Sequence, residues 1–149
     1  MNEVIIKDKI NTSEVFEQYF NEKDLIFFKN KQKDVDVYLL PYRIKDKKIK
    51  IDINVIASKN KNLCRIGFKS KLNPSIDYRE KLLDMNSKLD YGSLSVESGS
   101  DYVAFNINFK LFEDSNIETL YRNNLVRSIS VFIDLFEENI IEAETVDEK

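Results

Sequence analysis

The residues of this chain that could do chemistry are its carboxylates, its lysines and Cys64, because it contains no histidine at all. Without histidine the chain lacks the usual base of a nucleophilic triad, the commonest metal ligand and the side chain that titrates near neutrality unaided. Cys64 is the single thiol, so no disulfide or multi-cysteine metal site can form within the chain. Thiol catalysis would require an unusual activator. Cys64 alternates in phase with Ile66 and Phe68, which makes it a small buried apolar residue by expectation. The glycines, Gly67, Gly92 and Gly99, stand too far apart to form a phosphate cradle. Carboxylates remain as acid, base or Mg²⁺ ligands. Asp34 and Asp36 open a strand, Glu137 and Glu138 sit on a helix exterior, and neither pair has a partner at useful spacing. Solvated surface charges are expected at all four. No catalytic residue, metal ligand or cofactor site is assigned on this basis, and a non-enzyme is expected.

The elements that would have to position any site come next. At 149 residues the chain has the size of one domain, and such a chain buries roughly 70% of its unfolded surface. Ten Phe and seven Tyr supply a core large enough to dispense with disulfides. Residues 1–141 are read as a single domain and 142–149 as an acidic, frayed tail. No apolar run has the ~18–20 residues needed to span a bilayer. MNEVIIKDKI also lacks the longer apolar stretch and cleavage site of a signal peptide, so a cytoplasmic protein is expected. Charge is unevenly spread. Between Lys23 and Lys71 there are 14 Lys and Arg against five Asp, whereas the remainder holds nine basic and 21 acidic residues. Such a split marks either a nucleic-acid or other polyanion-binding face over Lys29 to Lys71, or lysines on the outward side of strands. The second reading is the simpler, since no aromatic stacking motif accompanies the charge.

Periodicity gives the order of elements. Asn11 or Thr12 caps a first helix with Glu14 in its first turn, and Val15, Phe16, Tyr19 and Phe20 fall on one face. Leu25 to Phe28 reads equally as the end of that helix or a short strand, and Lys29 to Lys33 as a connection. The period then changes to two. Val35, Val37 and Leu39 alternate with Asp36, Tyr38 and Leu40; Ile49, Ile51, Ile53 and Val55 alternate with Lys50, Asp52 and Asn54; and Cys64, Ile66 and Phe68 alternate with Arg65, Gly67 and Lys69. Pro74 starts a second helix of about four turns through Leu82, Leu83, Asn86 and Leu89, and Gly92 follows its end. Asn86, between Leu83 and Leu89, is expected to tie that helix to the Gly92 turn. Leu94 and Val96, then Val103, Phe105, Ile107 and Phe109, form a hairpin through Gly99. A last helix begins near Ile117. The fold expected is α+β: a five-stranded antiparallel sheet with helices packed on one face, in the order α-β-β-β-α-β-β-α.

One strand breaks the pattern. Tyr38, Leu40 and Tyr42 alternate with a set that is itself apolar, and Pro41 marks an edge or a bulge. Unless Ile26-Phe27-Phe28 or Val4-Ile5-Ile6 folds over them, Tyr38, Leu40 and Tyr42 are expected to line a contact with a protein or peptide partner, a homodimer being one form of it.

A helix, a three-strand meander, a helix reading LLDMNSKL, a hairpin reading SLSVESGSDYVAFNINF and a long terminal helix together resemble the YbjN family, whose fold is similar to that of type III secretion chaperones. The resemblance runs from about Thr12 to Asn139 and rests on Leu82-Leu83, Asn86, the strand alternation and the terminal helix. It implies a non-catalytic, chaperone- or adaptor-like module that holds an extended client segment, typically as a dimer, and it carries no catalytic residues.

Overall fold

The computed structural model describes residues 11–44, 49–96, 101–112 and 114–147, with side chains as far as Phe136 in the last helix. The hairpin turn expected through Gly99 lies outside these residues, as do Val4, Ile5 and Ile6.

Helix α1 spans Thr12–Glu22, and Asn11 caps it by accepting a 3.1 Å hydrogen bond from the Glu14 N–H. The helix ends in a left-handed residue, Asp24 at φ 53°. Around it the Leu25 N–H donates to the Phe20 carbonyl and the Asp24 N–H to the Asn21 carbonyl, the two bonds that close a helix in a Schellman motif. This turn swings the chain directly into β1, Phe28–Lys31. The sheet therefore has six strands rather than five. The sequence hides β1 because all four of its residues are exposed, so no apolar alternation betrays it. It exists through pairing with β2, Phe28 opposite Leu39 and Lys31 opposite Asp36.

The remaining strands are β2 (Val35–Ile44), β3 (Ile49–Ser58), β4 (Leu63–Lys71), β5 (Ser93–Val96) and β6 (Tyr102–Lys110). Their spatial order is β1-β2-β3-β4-β6-β5, antiparallel throughout. Pro41 falls in the half of β2 that β1 does not reach, where a missing N–H costs nothing on the open side.

Helix α2 spans Arg79–Lys88 and is shorter than the expected four turns. Two Asx turns precede it: Asn73 Oδ1 accepts from the Ser75 N–H and Asp77 Oδ1 from the Arg79 N–H, so the backbone groups after Pro74 are engaged outside a helix. Leu82 is buried, whereas Leu83 faces water. Helix α3 runs over Ile117–Asp147, with Asn116 Oδ1 accepting from the Thr119 N–H at its start. The helix thus extends into the acidic stretch that begins at Glu142.

The core lies between one face of the sheet and the helices. Phe20 of α1 meets the edges of Tyr38 on β2 at 5.6 Å and Tyr121 on α3 at 5.5 Å between centroids. Phe16 contacts Phe109 of β6, and Phe136 of α3 meets Tyr78 ahead of α2. Ile51, Ile53, Val55, Ile66, Phe68 and Phe105 fill the sheet side of this layer.

Candidate functional site

The structure does not bring Tyr38, Leu40 and Tyr42 together on a surface. Tyr38 is 0% and Leu40 4% exposed, both in the core, and only Tyr42, at 36%, meets water. The register explains the correction. Tyr38 stands opposite Val55 and Leu40 opposite Ile53, so both share the helix-covered face. Because side chains alternate, it is Val35, Val37, Leu39 and Pro41 that point away from the helices. The sequence offered two apolar sets one residue apart, and only pairing with β3 selects between them.

The same phase carries Asp36 inward. Asp36 is 4% exposed, a buried carboxylate rather than a solvated charge at the strand opening. Ser13 Oγ donates to Asp36 Oδ2 at 2.5 Å and lies 2.6 Å from the Tyr38 hydroxyl, whose proton is free to go to Ser13. Lys59 Nζ stands 3.5 Å from Oδ1 and Lys29 Nζ 3.9 Å from Oδ2, and Lys29 is held in turn by Glu17 at 3.0 Å. Burial raises the Tyr38 pKa, and the hydrogen bond to Glu17 is the first cause of a raised Lys29 pKa. A serine beside a carboxylate invites comparison with an activated nucleophile. Yet Ser13, Asp36 and Tyr38 are all buried against one another, so a substrate has no approach to Ser13 Oγ. The cluster neutralises a buried charge and fastens α1 to β2. Cys64 is buried, and loss of solvent pushes its thiol pKa far up, away from the reactive thiolate. Among the described residues no group of three or more Cys, Asp or Glu could hold a metal ion.

Among the described residues, the other face of the sheet is left open. Leu39, Pro41, Arg65, Ser95 and Asn108 are exposed there, and no described helix crosses them. Cross-strand rows order this face: Val37, Ile56, Arg65 and Asn108 form one; Leu39, Asn54, Gly67, Asn106 and Ser93 the next; Pro41, Asp52, Lys69, Ala104 and Ser95 a third. Three hollows run into one another across it. The largest, about 690 Å³, lies between Asp34, Ser58, Lys61, Leu63, Arg65 and Lys110. A central well of about 390 Å³ shares Ile56 and Arg65 with it. A third, also about 390 Å³, shares Asn54 and Lys69 with the well and ends at Phe28, Leu39 and Tyr102. Leu39 is 42% and Phe28 67% exposed, so the end nearest β1 is apolar while the middle is cationic and amide-rich. The side chains of Arg65, Asn54, Asn106 and Asn108 form no hydrogen bond or ion pair with the described residues, which leaves their donors free for a partner.

The uneven charge of the sequence becomes a layered one. The six strands carry eight Lys and Arg against two Asp, while the three helices carry five Lys and Arg against twelve Asp and Glu. Sequence reasoning located the basic segment and expected one uncovered sheet face, but placed the partner contact at Tyr38, Leu40 and Tyr42 rather than on that face. The available signal was the cross-strand set Lys50-Asp52-Asn54 and Ala104-Asn106-Asn108-Lys110, which the alternation placed correctly away from the helices. No described helix is long and apolar enough to cross a membrane. Scanned against protein-family models, curated proteins and solved structures, the chain finds no match.

Proposed function

We propose that the protein is a non-catalytic binding module that holds a segment of another protein on the open face of its sheet, in the manner of a chaperone or adaptor. The observation that carries this reading is the chain of three joined hollows, with exposed Phe28 and Leu39 at one end and unpaired polar donors in the middle. Water-facing aliphatic side chains beside unused hydrogen-bond donors are what a protein partner covers. Arg43 and its neighbours along Pro41–Ile44 of β2, which no described strand pairs on the β1 side, add a backbone edge suited to strand addition. The resemblance of the element order to the YbjN family and the type III secretion chaperones points the same way, β1 being an addition to it. A homodimer formed through this face belongs to the same reading.

Affinity capture from nuclease-treated lysate, comparing the native sequence with the double variant Leu39→Asp, Ile56→Asp, tests the proposal. Both side chains lie on the open face, so the variant is expected to keep its thermal transition and to lose the captured partner. Equal capture by both proteins would end the reading.

The excess of basic residues on the strands favours a second reading, a polyanion or nucleic-acid binder. It predicts retention on heparin that weakens steeply as salt rises, through counterion release.

A further inference from the structure

We infer that the segment held on this face is acidic, and that one of its carboxylate side chains seats in the well over Gly67. The inference rests on the binding reading above and names the chemistry of the partner.

The well is formed by what is missing from its floor. Gly67 has no side chain, and Ala104 on the neighbouring strand offers only a methyl group. A Cβ at Gly67 would stand 2.8 Å from Asn106 Oδ1, so the Asn106 amide leans over bare backbone. Asn54 flanks Gly67 from the other strand in the same row. Two residues before and after Gly67 on β4, and so on the same face roughly 7 Å away in each direction, stand Arg65 and Lys69. The hollow is thus bounded by two cations along the strand and two carboxamides across it. A carboxylate entering it gains the guanidinium fork of Arg65, a strong and geometrically specific donor pair, with the Asn54 carboxamide beside it, whereas Asn106, whose Oδ1 lies over Gly67, donates its N–H only once its amide turns over.

The surroundings select a peptide over a nucleic acid. Val37 and Ile56 line the well on the β2 and β3 side and Leu39 the adjoining hollow, and aliphatic side chains suit the apolar neighbours of an acidic residue. Single strands of nucleic acid instead need aromatic platforms for successive bases, and the aromatics of this face, Phe28 and Tyr102, stand at one end of it. A phosphate chain spanning the face would also meet Asp34 in the large hollow and Asp52 in the third. A single carboxylate in the central well meets neither. The same separation of charge argues against the chain's own basic segments as occupants and for a partner of opposite sign.

Short random peptides displayed on phage, selected on the full chain, test this. Asp and Glu are expected to be enriched, and a selected acidic peptide is expected to bind about tenfold more weakly to Arg65→Glu. Selection repeated on Arg65→Glu is expected to favour Lys and Arg instead. Neutral peptides whose binding survives Arg65→Glu but is lost on Ile56→Asp would overturn the acidic inference and leave the binding reading standing. A second copy of the chain occupying the face would overturn the acidic inference alone, and absence of any enriched peptide, with a labelled oligothymidylate occupying the face, would overturn both. Circular dichroism of each variant confirms that the fold is kept.

Discussion

Asp36 shows how much one side chain's phase decides. As a carboxylate near a strand opening it has every appearance of a surface charge, but pairing turns it toward Ser13, Tyr38, Lys29 and Lys59. Removing it would leave Lys59 without its counter-charge, Lys29 with Glu17 alone, and Ser13 without its acceptor. Asp36→Ala is therefore expected to destabilise the protein by about 2–4 kcal/mol in denaturant unfolding, since breaking a buried pair strands its partner. A change below about 0.5 kcal/mol, the range of surface substitutions, would show that the cluster is not what fastens α1 to the sheet. Asp24 teaches a related lesson. Its left-handed conformation closes α1, a role the sequence advertises only when glycine fills it.

At the scale of elements, α2 and β5 are joined by an amide acting as a strand. Asn86 Nδ2 donates to the Leu94 carbonyl at 2.9 Å, and Asn86 Oδ1 accepts from the Leu94 N–H at 2.8 Å. This is the tie to the Gly92 turn expected from the place of Asn86 between Leu83 and Leu89, though the side chain is only partly buried. Gly92 itself has φ 79°, and a Cβ there would lie 2.9 Å from Phe105 Cε1. Across the same loop the Arg127 guanidinium of α3 sits 4.2 Å from the centre of the Tyr91 ring, which fixes the turn to the long helix. Asn86→Ala removes both bonds and leaves the backbone of a four-residue edge strand with no partner on that side. A loss of about 1–3 kcal/mol is expected, with faster hydrogen exchange at Leu94 than at Val103. Unchanged protection at Leu94 would mean that the β5–β6 ladder holds the strand without the amide. Here the sequence was legible because a lone amide between leucines has few ways to satisfy itself. The extent of α2 was not, because the Asx turns after Pro74 compete with the helix on equal local terms.

Over the whole molecule the aromatic layer sets the response to pH. Tyr19, Tyr38 and Tyr121 are each held above the ordinary phenol pKa of 10.0, chiefly because burial disfavours the phenolate, and the Cys64 thiol is raised above 9.0 for the same reason. Raised values mean that the folded state keeps protons the unfolded chain releases. The stabilisation is complete below the unfolded values and is lost as pH climbs through and beyond them. Denaturant midpoints are accordingly expected to be flat below about pH 8 with respect to these groups, to begin falling near pH 9 through Cys64 and to fall more steeply above about pH 10 through the phenols. Tyrosinate absorbance of the buried phenols should rise together with unfolding. Smooth titration of all seven tyrosines in the folded state would contradict this burial.

The sequence by itself determined the class of the fold, the covered faces of β3, β4 and β6, the tie at Asn86 and the absence of histidine chemistry. Each follows from residue type and spacing that only one local structure satisfies. Tertiary structure alone decided the sixth strand, the phase of β2 and hence the fate of Tyr38, Leu40 and Asp36, and the segregation of basic strands from acidic helices. Where two alternating sets are both apolar, local free energy is nearly equal for either. The choice then falls to the partner strand and to the helix that must be packed, and neither is written in the stretch it governs.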